Sequence, residues 1–130
     1  MAAYPKVRCA SNDAPVLAAS ITVAGIVIVQ PKAGRTLRIV GGWMRSVGNT
    51  VGTASTVNFG DTTSTDEVMV GTAANLTNGT ILRENSTGMT CTKLNQALPK
   101  GAGILFHAVT GTVGTTTSMD YCVYYTVEGG

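Results

Sequence analysis

Apolar and polar residues alternate with a period of two along much of this chain, and the clearest stretch is Met119 to Val127. Its odd positions are Met119, Tyr121, Val123, Tyr125 and Val127, while its even positions are Asp120, Cys122, Tyr124 and Thr126. Successive side chains of a strand point to opposite faces, so this segment predicts a strand with one buried face. Ile104 to Val109 is apolar at every position but His107, which predicts an interior strand covered on both sides. A Gly/Thr loop, Thr110 to Ser118, separates the two, and together they read as a terminal hairpin.

Upstream the same reasoning places further strands. Val16 to Val29 (VLAASITVAGIVIV) reads as one or two strands, with Gly25 as a bend or bulge. Thr36 to Val47 follows a turn at Pro31 to Arg35, with Leu37, Ile39 and Trp43 expected on one face and Gly41-Gly42 as a bulge beside the indole. Ala54 to Phe59 is a strand, and Asn78-Gly79 is a strong turn signal. Short strands at Thr80 to Arg83 and Met89 to Leu94 flank a second turn around Ser86 to Gly88. Glu67 to Asn75, preceded by Asp66 as a cap, is the one segment where a short helix is entertained, and Gly71 and Thr72 weaken it. The phrase Thr50-Val51-Gly52-Thr53 recurs as Thr112-Val113-Gly114-Thr115, each time between two strands.

The expectation is an all-β, single-domain β-sandwich of jelly-roll type, with seven or eight strands over residues 16–130. Residues 1–15 lack any period and read as an extended N-terminal arm.

Composition narrows the function. Twenty threonines and 16 glycines suit short strands and tight turns. Charged residues make up 12%, about half the usual share, and the formal charge of +2 calls for neither a nucleic-acid nor a membrane partner. The fourteen residues Val16 to Val29 are too few to span a bilayer. Asp13 and Pro15 before them, and Gln30, Pro31 and Lys32 after them, argue against a signal peptide. Cys9, Cys91 and Cys122 cannot all pair within one chain and show no zinc spacing. A reducing compartment is the plainer expectation, with Cys122 a small buried hydrophobe and one disulfide left open.

No catalytic residues are assigned. His107, the single histidine, sits mid-strand in apolar sequence, where a packing or interface role is expected over that of a general base. Asp61, Asp66 and Glu67 lack the spacing of a calcium loop, so no metal and no cofactor is expected. Tyr121, Tyr124 and Tyr125 have no basic neighbours that would make them a base-stacking platform.

The runs GRTLRIVGGWMRS, STVNFGD, DEVMVGTAANLTNGT, LPKGAGILFHAVTGTVGTT and YCVYYTVEGG resemble the small capsid decoration (cement) and head-fibre proteins of tailed bacteriophages. That resemblance implies a jelly-roll-like sandwich, favoured as a homotrimer, without enzymatic activity. It also implies a virion protein, made in the host cytoplasm, that binds the major capsid protein on the shell exterior and reinforces it. On this reading Met1, Ala2, Ala3, Tyr4, Pro5, Lys6, Val7 and Arg8 form the anchoring arm, and Gly111, Thr112, Val113, Gly114 and Thr115 form an exposed contact loop. The alternative is a receptor- or carbohydrate-binding β-sandwich of a phage fibre or cell-surface adhesin, with Asp61 to Asp66 and Thr110 to Ser118 as its loops.

Overall fold

The structure, a computed structural model, describes residues 6–14, 16–17, 20–48, 51, 56–63, 67–109 and 118–129. Two antiparallel sheets stack as a β-sandwich. The first is built on a long pair, β4 (Arg35–Val47) and β10 (Ser118–Gly129). On the far side of β10 lie β1 (Arg8–Ser11) and, further along, β2 (Val16–Leu17); β7 (Ile81–Arg83) flanks β4. The second sheet runs β3 (Ile26–Val29), β9 (Ile104–Val109), β5 (Thr56–Asp61), β6 (Glu67–Thr72) and β8 (Met89–Cys91).

The core fills the space between the sheets. Phe59 and Phe106 stack with ring centroids 5.1 Å apart, and Tyr121 reaches across from β10 to 5.2 Å from Phe106. Leu37, Ile39, Met44, Val57, Met69, Met119 and Val123 close around them. Such ring pairs add about 0.5–1.5 kcal/mol to the burial of their area.

Ten strands are described, against the seven or eight expected. Two come from segments read otherwise. Arg8–Ser11, within the expected arm, is β1, and Glu67–Thr72, entertained as helix, is β6. The helical tendency survives only as a 3-10 turn at Ala73–Asn75. Gly71, paired with Val57, explains the outcome at β6: a Cβ there would come 2.9 Å from Met44 Sδ, so bare backbone is what the sheet packing admits.

The bulge expected at Gly41-Gly42 lies one residue earlier and changes the face of the indole. Tyr124 pairs with Gly41 and Tyr125 with Ile39, which leaves Val40 as the extra residue. An extra residue reverses the alternation. Leu37 and Ile39 point into the core, then Gly42, Met44 and Ser46 do, while Trp43 and Arg45 face outward with Cys122 and Asp120. Trp43 therefore does not share a face with Leu37 and Ile39. Gly42 is required where it stands, since a Cβ would lie 2.6 Å from the Cys122 carbonyl oxygen.

The two terminal strands do not form a hairpin. β9 is hydrogen-bonded on both sides, by β3 and β5, and β10 by β4 on one side and β1 with β2 on the other. Neither has an edge left for the other, so the chain between them crosses from the second sheet to the first. The connection from β4 to β5 crosses the opposite way. Val47 pairs with Ser118 and Thr56 with Val109, so both crossovers leave and arrive side by side at one end of the sandwich. The repeated TVGT phrases belong to these crossovers, and of their residues only Val51 is described; it is buried and donates its N–H to the Leu76 carbonyl at 3.0 Å.

Candidate interaction surface

The N-terminal segment builds one lateral side of the sandwich. β1 and β3 are the outermost strands of their respective sheets on that side. A four-residue strand at a sheet edge has few bonds to hold it, and here covalent chemistry supplies the rest. A disulfide joins Cys9 of β1 to Cys122 of β10, with Cα atoms 6.5 Å apart and a separation of 113 positions in sequence. Cys122 is buried as expected, but as a bridge residue and not as the reduced cysteine of the plainer expectation. Its outward position opposite Ser11, next to Cys9, made the pairing possible.

Asn12 fastens the chain where it leaves β1. Its Nδ2 donates to Asp120 Oδ1 at 2.9 Å, and its Oδ1 accepts the Tyr121 N–H at 2.9 Å. Arg45 donates to the other oxygen of Asp120. These two hydrogen bonds, Arg45 first and Asn12 second, hold the Asp120 carboxyl below the usual carboxylate range.

On this side large apolar side chains reach solvent among polar ones. Val7, Leu17, Val23 and Val27 are 55%, 62%, 57% and 51% exposed, and they are the large hydrophobics left open among the described residues. All four belong to the N-terminal segment, on or beside β1, β2 and β3. Of the arm residues expected to make contacts, Met1, Ala2, Ala3, Tyr4 and Pro5 lie outside the described residues. Lys6 and Val7 are exposed, and Arg8 opens β1 opposite Tyr125. The expected contact loop, Gly111, Thr112, Val113, Gly114 and Thr115, lies outside them too, although its flanking residues Val109 and Ser118 are placed at the crossover end.

Between β1 and the β3–β4 turn a cleft of about 280 Å³ opens. Arg8, Lys32 and Arg35 rim it, and Val29, Gln30, Pro31, Leu37, Tyr125 and Val127 line it. Lys32, Arg35, Arg38 and Arg45 lie along β4 and the turn before it, with Arg8 beside them across β10. The fold divides them: Arg38 is paired with Glu128 and Arg45 with Asp120, whereas Arg8 and Lys32 have no carboxylate partner among the described residues. Arg35 Nη1 donates to the Gly129 carbonyl at 2.9 Å.

His107 sits on the outer face of the second sheet, directly across from Asn58. Both are buried, at 4% and 0% exposure, and His107 Nε2 and both polar atoms of the Asn58 side chain lack a hydrogen-bond partner. Burial pushes the imidazole below its ordinary value near 6.5, against weaker upward pulls from the Glu67 charge and the Ala108 backbone. Asn58 was missed in the sequence; a lone amide in the apolar run TVNF was its only signal. Asp61 is buried and accepts both the N–H and the hydroxyl of Thr63, a local turn. Among the described residues no three His, Cys, Asp or Glu side chains are placed to hold a metal ion. Of the three tyrosines near the C-terminus, Tyr121 and Tyr125 pack on the core and Tyr124 faces away, so they share no platform.

The chain matches no protein-family model, no curated protein and no solved structure at a significant level.

Proposed function

We propose that this protein is a structural component of a bacteriophage virion, a decoration or cement protein that binds the major capsid protein on the outside of an assembled shell and stabilises it. It acts without catalysis, as a jelly-roll-like sandwich associated into a homotrimer and made in the host cytoplasm. The observation that carries this reading is the N-terminal side: four exposed hydrophobic side chains on or beside β1, β2 and β3, with β1 tied to β10 by a disulfide. Apolar surface of this kind marks a place where another protein sits, and a cross-linked edge offers it as a fixed template. A disulfide also suits a particle whose exterior meets oxidising surroundings after release.

Cosedimentation of the purified protein with mature capsids, together with its mass in solution by analytical ultracentrifugation, tests the proposal. Saturable binding by a symmetric oligomer is expected. A protein that remains monomeric and stays in the supernatant would sink it, as would selective retention on a glycan array without capsid binding, which would favour the fibre or adhesin alternative.

A further inference from the structure

The cleft between β1 and the β3–β4 turn has a composition that its surroundings do not explain. Three cationic side chains, Arg8 of β1 and Lys32 and Arg35 of one turn, meet around one hollow, and no carboxylate among the described residues lines it. Elsewhere on the same sheet Arg38 is matched by Glu128 and Arg45 by Asp120, and Arg83, without a carboxylate partner among the described residues, stands alone on β7. Positive charge gathered without a counter-charge raises the local concentration of anions, and guanidinium groups pair with carboxylates through two parallel hydrogen bonds. Between the cations the hollow is lined by Val29, Pro31, Leu37, Tyr125 and Val127 with the one amide of Gln30, so an anion alone would leave its apolar part unused.

The cleft also lies where both sheets end. Arg8 is the first residue of β1, the outermost strand of one sheet, and Val29 is the last of β3, the outermost strand of the other. An extended peptide added along such an edge gains main-chain hydrogen bonds and sends alternate side chains toward the pocket beside it. We infer that this cleft is a recognition site for an extended segment of a partner protein in which acidic residues alternate with aliphatic ones, the carboxylates meeting Arg8, Lys32 and Arg35 and an aliphatic side chain filling the hollow. The inference stands on the cleft alone and does not require that the partner belong to a capsid.

Fluorescence anisotropy with a labelled peptide of alternating valine and glutamate tests it, with a valine–glutamine peptide as control. The acidic peptide should bind saturably and weaken as salt is raised from about 50 to about 300 mM. The double substitution Arg8→Ala, Lys32→Ala should weaken it by about tenfold; both side chains are exposed, so the fold should survive. Amide resonances of Val29, Arg35 and Tyr125 should shift on titration. Equal binding of the glutamine peptide, unaltered binding by the double variant, or absence of binding would overturn the inference. So would inorganic phosphate or glutarate that shifts the same resonances as strongly as the peptide does, since the site would then serve small anions. Capsid cosedimentation is a separate measurement, and failure there leaves the peptide result standing.

Discussion

The two lateral sides of the sandwich differ in how they end. On one side, β7 and β8 are three-residue strands, joined by a tight turn whose groups are internally satisfied. Ser86 Oγ accepts the Arg83 N–H at 2.9 Å, the Met89 N–H goes to the Ser86 carbonyl at 3.1 Å, and the Thr72 N–H goes to Gly88 at 2.9 Å. The outward residues there are polar, Arg83 and Thr90 among them. Short, polar, turn-capped strands are how a sheet edge is kept from pairing with other chains. On the other side, Val27 lies on β3 and Val7 just before β1, with Leu17 and Val23 near them, and the disulfide fixes β1 where fraying would otherwise remove it. One edge is blunted and the other is kept presentable, within one small domain.

The largest test of that contrast removes the disulfide. Cys122→Ser, or reduction with dithiothreitol, should cost about 3 kcal/mol, the usual scale for a disulfide. The melting temperature should fall by about 10 °C, and hydrogen exchange should show β1 amides losing protection ahead of β7. Equal loss on both sides would mean that the bridge supports the whole fold and not one edge.

Next in size is the apolar surface. Val7→Lys, Leu17→Lys and Val27→Lys in combination should reduce oligomerisation or capsid binding by about thirtyfold, the scale of one well-buried contact cluster. Each site is already open to solvent, so urea denaturation should register a change within about 0.5 kcal/mol per site. Full binding by the triple variant would place the interface elsewhere.

Acidification should affect the N-terminal side more modestly. His107 has a lowered pKa in the folded protein, so below its ordinary value near 6.5 the unfolded chain takes up a proton that the folded chain resists. Its contribution to stability is therefore complete above about pH 6.5 and is lost as pH falls toward the folded value. Gly25, at φ 70° just before β3, is seated so closely on His107 that a Cβ would collide with the imidazole-bearing Cβ. Urea denaturation at pH 7.5 and pH 5.5 should show the loss, hydrogen exchange should place it at β3 before β8, and His107→Leu should flatten it. An unchanged pH profile in that variant would assign the acid sensitivity to other groups.

The smallest expected effect is on the blunted side. Cys91 is the free thiol, its pKa raised by burial and by Glu84, and its Sγ approaches the Glu84 carbonyl at 3.7 Å. Cys91→Ser should leave stability within about 0.5 kcal/mol and binding unaltered. A clear loss of capsid binding would erase the asymmetry between the sides.

Local pattern was sufficient for much of this fold. The alternation in Met119 to Val127, the two-faced apolar run Ile104 to Val109 and the turns at Asn78-Gly79 and Ser86 to Gly88 each fall where the structure has them, because side-chain period and turn chemistry are properties of chain neighbours. Sheet membership is not such a property. Whether β9 pairs with β10 depends on which edges are already occupied, and β3, β5, β4 and β1 occupy them. The one-residue slip at Val40 that turns Trp43 outward arises from the fit of β4 against β10, and the strand at Glu67–Thr72 from packing against β5 and β8. The N-terminal side was singled out in the sequence through residues 1–8, of which Lys6 to Arg8 are described. Its bridge joins residues 9 and 122, and its cleft joins Arg8, the turn around Lys32 and the end of β10. What the sequence determined by itself was where strands and turns fall; which strands meet, which cysteines bond and which cations stay unpaired was decided by tertiary structure, since those outcomes depend on distances that no stretch of neighbouring residues contains.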